Sequence, residues 1–150
     1  MFVWLSVAFA GVVAFLCWKL YRRFATSRID ALLDERRATS RMVSRGEFVD
    51  GSRHLAVALA LTNTDFFYQN ADMEASLDLR WIREIVYDTS LTTGQQVAGG
   101  KVLRIRCFSQ LFEFIVPDDS LVRWHMMLPP RKWKEPAAGS ELAERVAVAS

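Results

Sequence analysis

Two histidines and two cysteines are the side chains best suited to metal ligation or to imidazole and thiol chemistry. His54 and His125 lie far apart in the chain. Neither has a cysteine or second histidine at the spacing of a zinc site. A nucleophilic thiol needs a positioned base. Cys107 alternates with apolar residues and has no such base nearby in sequence, so it reads as core. His125 follows Trp124 in a helical pattern and reads as a partly exposed helix residue. Asp118 and Asp119 are paired carboxylates at a helix start, where acids complement the helix dipole. Asp30, Asp34 and Glu35 read as helix-surface charges. Gly94 and Gly99-Gly100 lack the Lys-Ser/Thr step of a phosphate loop. These residues assign no catalytic group, no metal ligand and no cofactor, and the chain is expected to be non-enzymatic with no small-molecule substrate. The rival reading, an enzyme using Cys107 or His125, requires those side chains to be exposed beside suitable partners.

The elements around these residues begin with an apolar stretch. Met1 to Trp18 contain no charged side chain. A bilayer core is about 30 Å thick and is spanned by about 20 helical residues, a length reached at Leu20 or Tyr21. Trp4 stands at one end, and Trp18 and Tyr21 at the other, as aromatic belts would. Lys19, Arg22, Arg23 and Arg28 follow the stretch and none precedes it, which points to a cytoplasmic C-terminal side. A cleaved signal peptide would have a basic start and a small-residue cleavage site, unlike Cys17-Trp18-Lys19. Residues 1–21 are therefore expected to form a transmembrane helix in the cell (inner) membrane, N-terminus outside.

The remaining length suits one domain. The whole chain of 150 residues has a net charge of only +2. Lys19 to Arg45 concentrates eight basic and three acidic residues, a net +5. Residues 22–46 are expected to be a basic juxtamembrane helix or linker, with Ser27 as N-cap and Gly46 as terminator. Beside a bilayer each such base would be worth about 1 kcal/mol toward anionic lipid; the alternative is that the arginines only fix topology and solvate a linker. Cys17 and Cys107 form no disulfide framework.

From Leu55 the period changes to two. Leu55, Val57, Leu59 and Leu61 alternate with Ala56, Ala58 and Ala60, which predicts a strand whose small-residue face admits a close neighbour. Phe66 to Gln69, Ala75 to Leu79, Glu84 to Asp88, Val102 to Cys107 and Phe112 to Val116 predict five more strands. Glu47-Phe48-Val49 could add a seventh. After Pro117-Asp118-Asp119-Ser120, the spacing of Leu121, Trp124 and Leu128 predicts a closing helix stopped by Pro129-Pro130. The class is α+β: a mainly antiparallel, partly closed barrel capped by a C-terminal helix.

Residues 47–130 resemble the pleckstrin-homology and GRAM-like superfamily, particularly its bacterial members. The resemblance rests on Leu59-Ala60-Leu61-Thr62-Asn63, on Phe66-Phe67-Tyr68, on the run Leu77 to Ile85, and on the final helix with Trp124. It implies a curved barrel plugged at one end by that helix. Phosphoinositide-binding members carry bases around the first hairpin, which here reads as Asn63-Thr64-Asp65 and carries none, although a phosphate ligand needs cationic donors. The tail, residues 131–150, opens with Arg131, Lys132, Trp133 and Lys134 and becomes low in complexity.

Together these features predict an anchored docking subunit that stabilises a larger membrane complex (respiratory, photosynthetic, transport or secretion). Its partners would be other membrane proteins and anionic lipids, not nucleic acid. Arg36, Arg37, Arg41, Arg131, Lys132, Trp133 and Lys134 are the expected contacts. The alternative is a domain that binds anionic headgroups through its juxtamembrane arginines.

Overall fold

The computed structural model describes residues 2–132, with side chains for 12–20 and 27–132. Helix α1 spans Phe2–Arg37. Seven strands follow: β1 (Met42–Asp50), β2 (Arg53–Leu61), β3 (Asp65–Gln69), β4 (Glu74–Asp78), β5 (Ile82–Asp88), β6 (Gly100–Cys107) and β7 (Gln110–Pro117). Helix α2 spans Asp118–Met127. All strands join one antiparallel sheet in the order β4-β3-β2-β1-β7-β6-β5.

Strand β1 was not expected at this length. The sequence pattern predicts a helix to Arg45, but the helix ends at Arg37 and Met42 already pairs with Leu61. Thr39, Val43 and Ser44 are poor helix formers, and a neighbouring strand offers their backbone full pairing. Gly46 does not terminate a helix. It sits in mid-strand, where a Cβ would lie 2.5 Å from Leu59 Cδ1 and 3.0 Å from the Ile115 carbonyl oxygen. Strand β1 pairs with β2 along its whole length, but with β7 only at Glu47, Phe48 and Val49. The close approach at Gly46 lies just before those three pairs. The first hairpin is therefore at Gly51, which adopts φ +62°, and Asn63-Thr64-Asp65 forms the second.

The divergence of β1 and β7 leaves an opening that α2 fills, in contact with β1, β6 and β7. Trp124 enters the interior fully buried. Its ring centroid lies 5.6 Å from that of Phe66, and its indole N–H donates to Ser44 Oγ at 2.8 Å. Phe66, Phe114, Leu59, Leu61, Leu103 and Ile105 surround it in the same core. Their strands show the two-residue period because successive side chains point to opposite faces of the sheet.

The outer face of β2 is where the alanines act. Ile29 and Leu33 of α1 pack on Ala58, with Leu32 and Val43 alongside. A larger side chain at position 58 would hold the helix off the sheet. The sequence left open whether this face meets the last helix or another chain; the occupant is the second half of α1.

The expected membrane span is corrected. Among the described residues, no helix is long and apolar enough to cross a membrane. Helix α1 does not stop at Tyr21 but continues to Arg37, and its last turns are charged on one side and docked on the sheet by the other. The inner-membrane placement, the single-pass topology and the outer N-terminus rested on that span and fall with it. The α+β class built on a transmembrane helix gives way to a mostly β chain: one seven-stranded sheet with α1 and α2.

Two outcomes follow from this packing. Trp124→Ala should lower the unfolding free energy by about 3–5 kcal/mol, measured by urea denaturation. Ala58→Phe should instead act locally. It should raise amide exchange at Ile29 and Leu33 at least about tenfold, the effect of some 1.4 kcal/mol of lost docking, while exchange at Leu103 and Ile105 stays slow.

Candidate functional site

Among the basic residues expected to meet lipid or partners, Arg36, Arg37, Arg41 and Arg131 are engaged within the chain. Arg36 lies over the Phe67 ring at 4.5 Å, donates to Gln69 Oε1 at 3.2 Å, and pairs with Glu74. Arg45 donates through Nε to Asp30 Oδ1 at 2.9 Å. Both ties clamp α1 to the outer face of β1, β3 and β4. Arg37 pairs with Asp34 at 3.4 Å, both exposed, and Arg41 reaches Met127 Sδ at 3.8 Å. Arg131 forms a two-way backbone pair with Ile85 at 2.7 and 2.9 Å, and its guanidinium donates to the Ile82 carbonyl at 2.5 Å. It seals the free edge of β5. Lys132 is exposed. Trp133 and Lys134 lie outside the described residues, as do the side chains of Trp4, Tyr21, Arg22 and Arg23. Arg28 is exposed, and Lys19 lies 5.7 Å from the Phe15 ring centroid.

The first part of α1 has the opposite character. Val12, Val13, Phe15, Leu16, Trp18 and Leu20 are all between 42% and 58% exposed, on a helix whose other end is fixed to the sheet. Fixed orientation plus exposed apolar area is the arrangement of a docking element. A second exposed apolar feature lies at the turn ends. Trp81 and Phe108 stack with centroids 5.0 Å apart and an interplanar angle of 24°, each about half exposed. Phe108 reaches this position at φ +54°, left-handed backbone that costs a non-glycine residue about 1–2 kcal/mol. The sequence reads Ser109-Gln110 as a turn and gives Phe108 no role; the stacking on Trp81 arises from a neighbour distant in sequence.

The candidates for chemistry are placed as follows. Cys107 is buried in the main core, and burial pushes its thiol pKa up, with Asp78 adding to the shift. Such a thiol is a poor nucleophile. His54 lies 3.1 Å from Glu47 at the surface. His125 is exposed and meets the Tyr87 ring edge-on at 4.0 Å. Among the described residues, no group of three or more His, Cys, Asp or Glu could hold a metal ion. At the first hairpin Arg53 pairs with Asp50 at 2.7 Å, so its charge is already met.

The most connected polar cluster was not expected. Arg104 on β6 and Glu113 on β7 are cross-strand partners on the outer face, joined at 2.8 Å. Arg104 also donates to Asp88 Oδ2 at 2.8 Å and to the Ser90 carbonyl at 2.6 Å. Glu113 accepts from the Thr92 amide and hydroxyl, both at 2.9 Å. Leu91 packs beneath on Val49 and Val102. These ties staple the 89–99 loop to the sheet. Burial raises the Glu113 pKa, but hydrogen bonds from Arg104 and Thr92 outweigh it and leave the carboxyl below its ordinary value. No family model, curated protein or solved structure matches this chain.

Because Glu113 titrates lower when folded, its contribution is present above the unfolded carboxyl value of about 4.3 and is lost as pH falls through the folded value. Acidification should therefore lower the exchange protection of the Thr92 amide, relative to its intrinsic rate at each pH, before that of the core amides. In Glu113→Gln that acid dependence should flatten, with a stability loss of about 1–3 kcal/mol at neutral pH.

Proposed function

We propose that the protein is a non-enzymatic docking subunit that joins a larger protein assembly through the exposed apolar part of α1. The observation that carries this reading is the exposure of Val12, Val13, Phe15, Leu16, Trp18 and Leu20 on a helix anchored at its far end. Exposed contiguous apolar surface marks an interaction site, and a partner's apolar helix is the matching surface, packing by ridges into grooves. Anchoring by Ile29, Leu33, Arg36 and Arg45 removes much of the ordering cost that a loose helix would meet on binding. The strand order and the plugging helix support the pleckstrin-homology-like reading, a scaffold that presents surfaces. The internal engagement of Arg36, Arg45 and Arg131 weighs against a headgroup-binding role for those three.

Affinity purification of the full chain on a C-terminal tag tests the reading. A stoichiometric set of proteins that crosslinks to residues 12–20 is expected. The double variant Phe15→Glu/Leu16→Glu should lose that set by more than about tenfold, since charges at an apolar contact go unpaired, with unchanged thermal stability. A chain that runs as a monomer without partners, or partners retained by the variant, would sink the proposal. Self-association abolished by the variant would reassign the helix to a homodimer.

A further inference from the structure

An open cleft of 560 Å³ lies between the end of α2 and strands β5 and β6. That volume falls in the range of about 300–1,000 Å³ seen for small-molecule sites. Its apolar lining is the Tyr87 ring and Pro130, with Ile85 buried behind and Val86 bordering it along β5, and the lining also carries Lys101, His125 and Lys132. Arg131 also borders it, but its guanidinium is bound to the Ile82 carbonyl. Among the described residues, no acidic side chain lines the cleft.

The charge here differs from that over most of the sheet. Arg36, Arg45, Arg80, Arg104 and Arg106 each meet a carboxylate. Among the described residues, Lys101 and Lys132 belong to no ion pair. Gathering positive charge over a low-dielectric wall raises the local concentration of anions. The walls are also fixed in advance. The Tyr87 hydroxyl donates to the Leu128 carbonyl at 2.9 Å, and its ring packs against His125. The pairing of Arg131 with Ile85 holds the following chain across the edge of β5.

We propose that this cleft binds a small amphiphilic organic anion. Its carboxylate sits among Lys101, Lys132 and the His125 ring, and its apolar body lies on the Tyr87 ring and Pro130. An inorganic anion would leave the apolar wall unused, and an apolar cation would meet like charge. The site is separate from the exposed part of α1, so it stands or falls independently of the docking role.

Nuclear magnetic resonance titration of the full chain tests it, following the Ile85 methyl and His125 ring signals. The probes are octanoate, inorganic phosphate and octylammonium. Octanoate should give saturable shifts, with phosphate and octylammonium at least about tenfold weaker. Lys101→Glu should weaken octanoate about tenfold, as loss of a charge-assisted contact does, and raised salt should weaken it in the wild type. The Trp124 indole signal reports whether each variant is folded. If Lys101→Glu unfolds, Lys132→Gln replaces it, with about threefold weakening expected. No saturable shift, equal binding of octylammonium, or indifference of octanoate to the folded lysine variants would overturn the proposal.

Discussion

The placement of Trp124 in the core against the seven-stranded sheet is the constraint on which the rest of the fold depends. Strand β1 follows β2 throughout but keeps β7 for only three residues. The resulting gap exposes the interior unless a large side chain fills it. Trp124 does so from α2, against Phe66, with its one polar group satisfied by Ser44. A buried indole without that partner would cost about 1–3 kcal/mol. Ser44 is available because β1 extends back to Met42, so strand length, sheet opening and helix position are mutually dependent.

The outer face is divided between two covers that use different physics. Over β1 to β3 the contact is apolar and close, made possible by the alanine row, and edged by Arg36 and Arg45. Over β6 and β7 it is polar, with Arg104 and Glu113 reaching up to the 89–99 loop around a small apolar seed of Val49, Leu91 and Val102. The second cover rests on the charge network around Glu113, the first on apolar contact edged by the Arg36–Glu74 and Arg45–Asp30 pairs. Loop and helix can therefore loosen separately, although both rest on one sheet.

The charge pattern changes meaning once folded. A basic run in sequence suggested a surface field directed at an outside anion. In space, carboxylates from other elements meet much of it: Asp30 for Arg45 and Glu74 for Arg36. Among the described residues, Lys101 and Lys132, far apart in the chain, meet no carboxylate and stand together at the cleft. The α1 surface is the complement: apolar, oriented, and continuous with a docked segment.

Much of the sheet was legible from local pattern. The two-residue period from Leu55 to Leu61, the aromatic strand at Phe66 to Tyr68 and the start of α2 at Pro117-Asp118 are short-range signals, and short-range forces produce them. The alanine row even announced a close neighbour. Pairing decided what local pattern could not. Met42 to Asp50 looked helical at its start, yet ladder bonds to β2 outweighed that weak preference. Phe108, Glu113 and Lys101 have roles that arise from neighbours distant in sequence. The apolar start of the chain is likewise evident from composition alone, whereas its continuation as a helix docked on β2 follows from tertiary contact. Side-chain period is local information; partners, burial and the sharing of charge belong to the assembled chain.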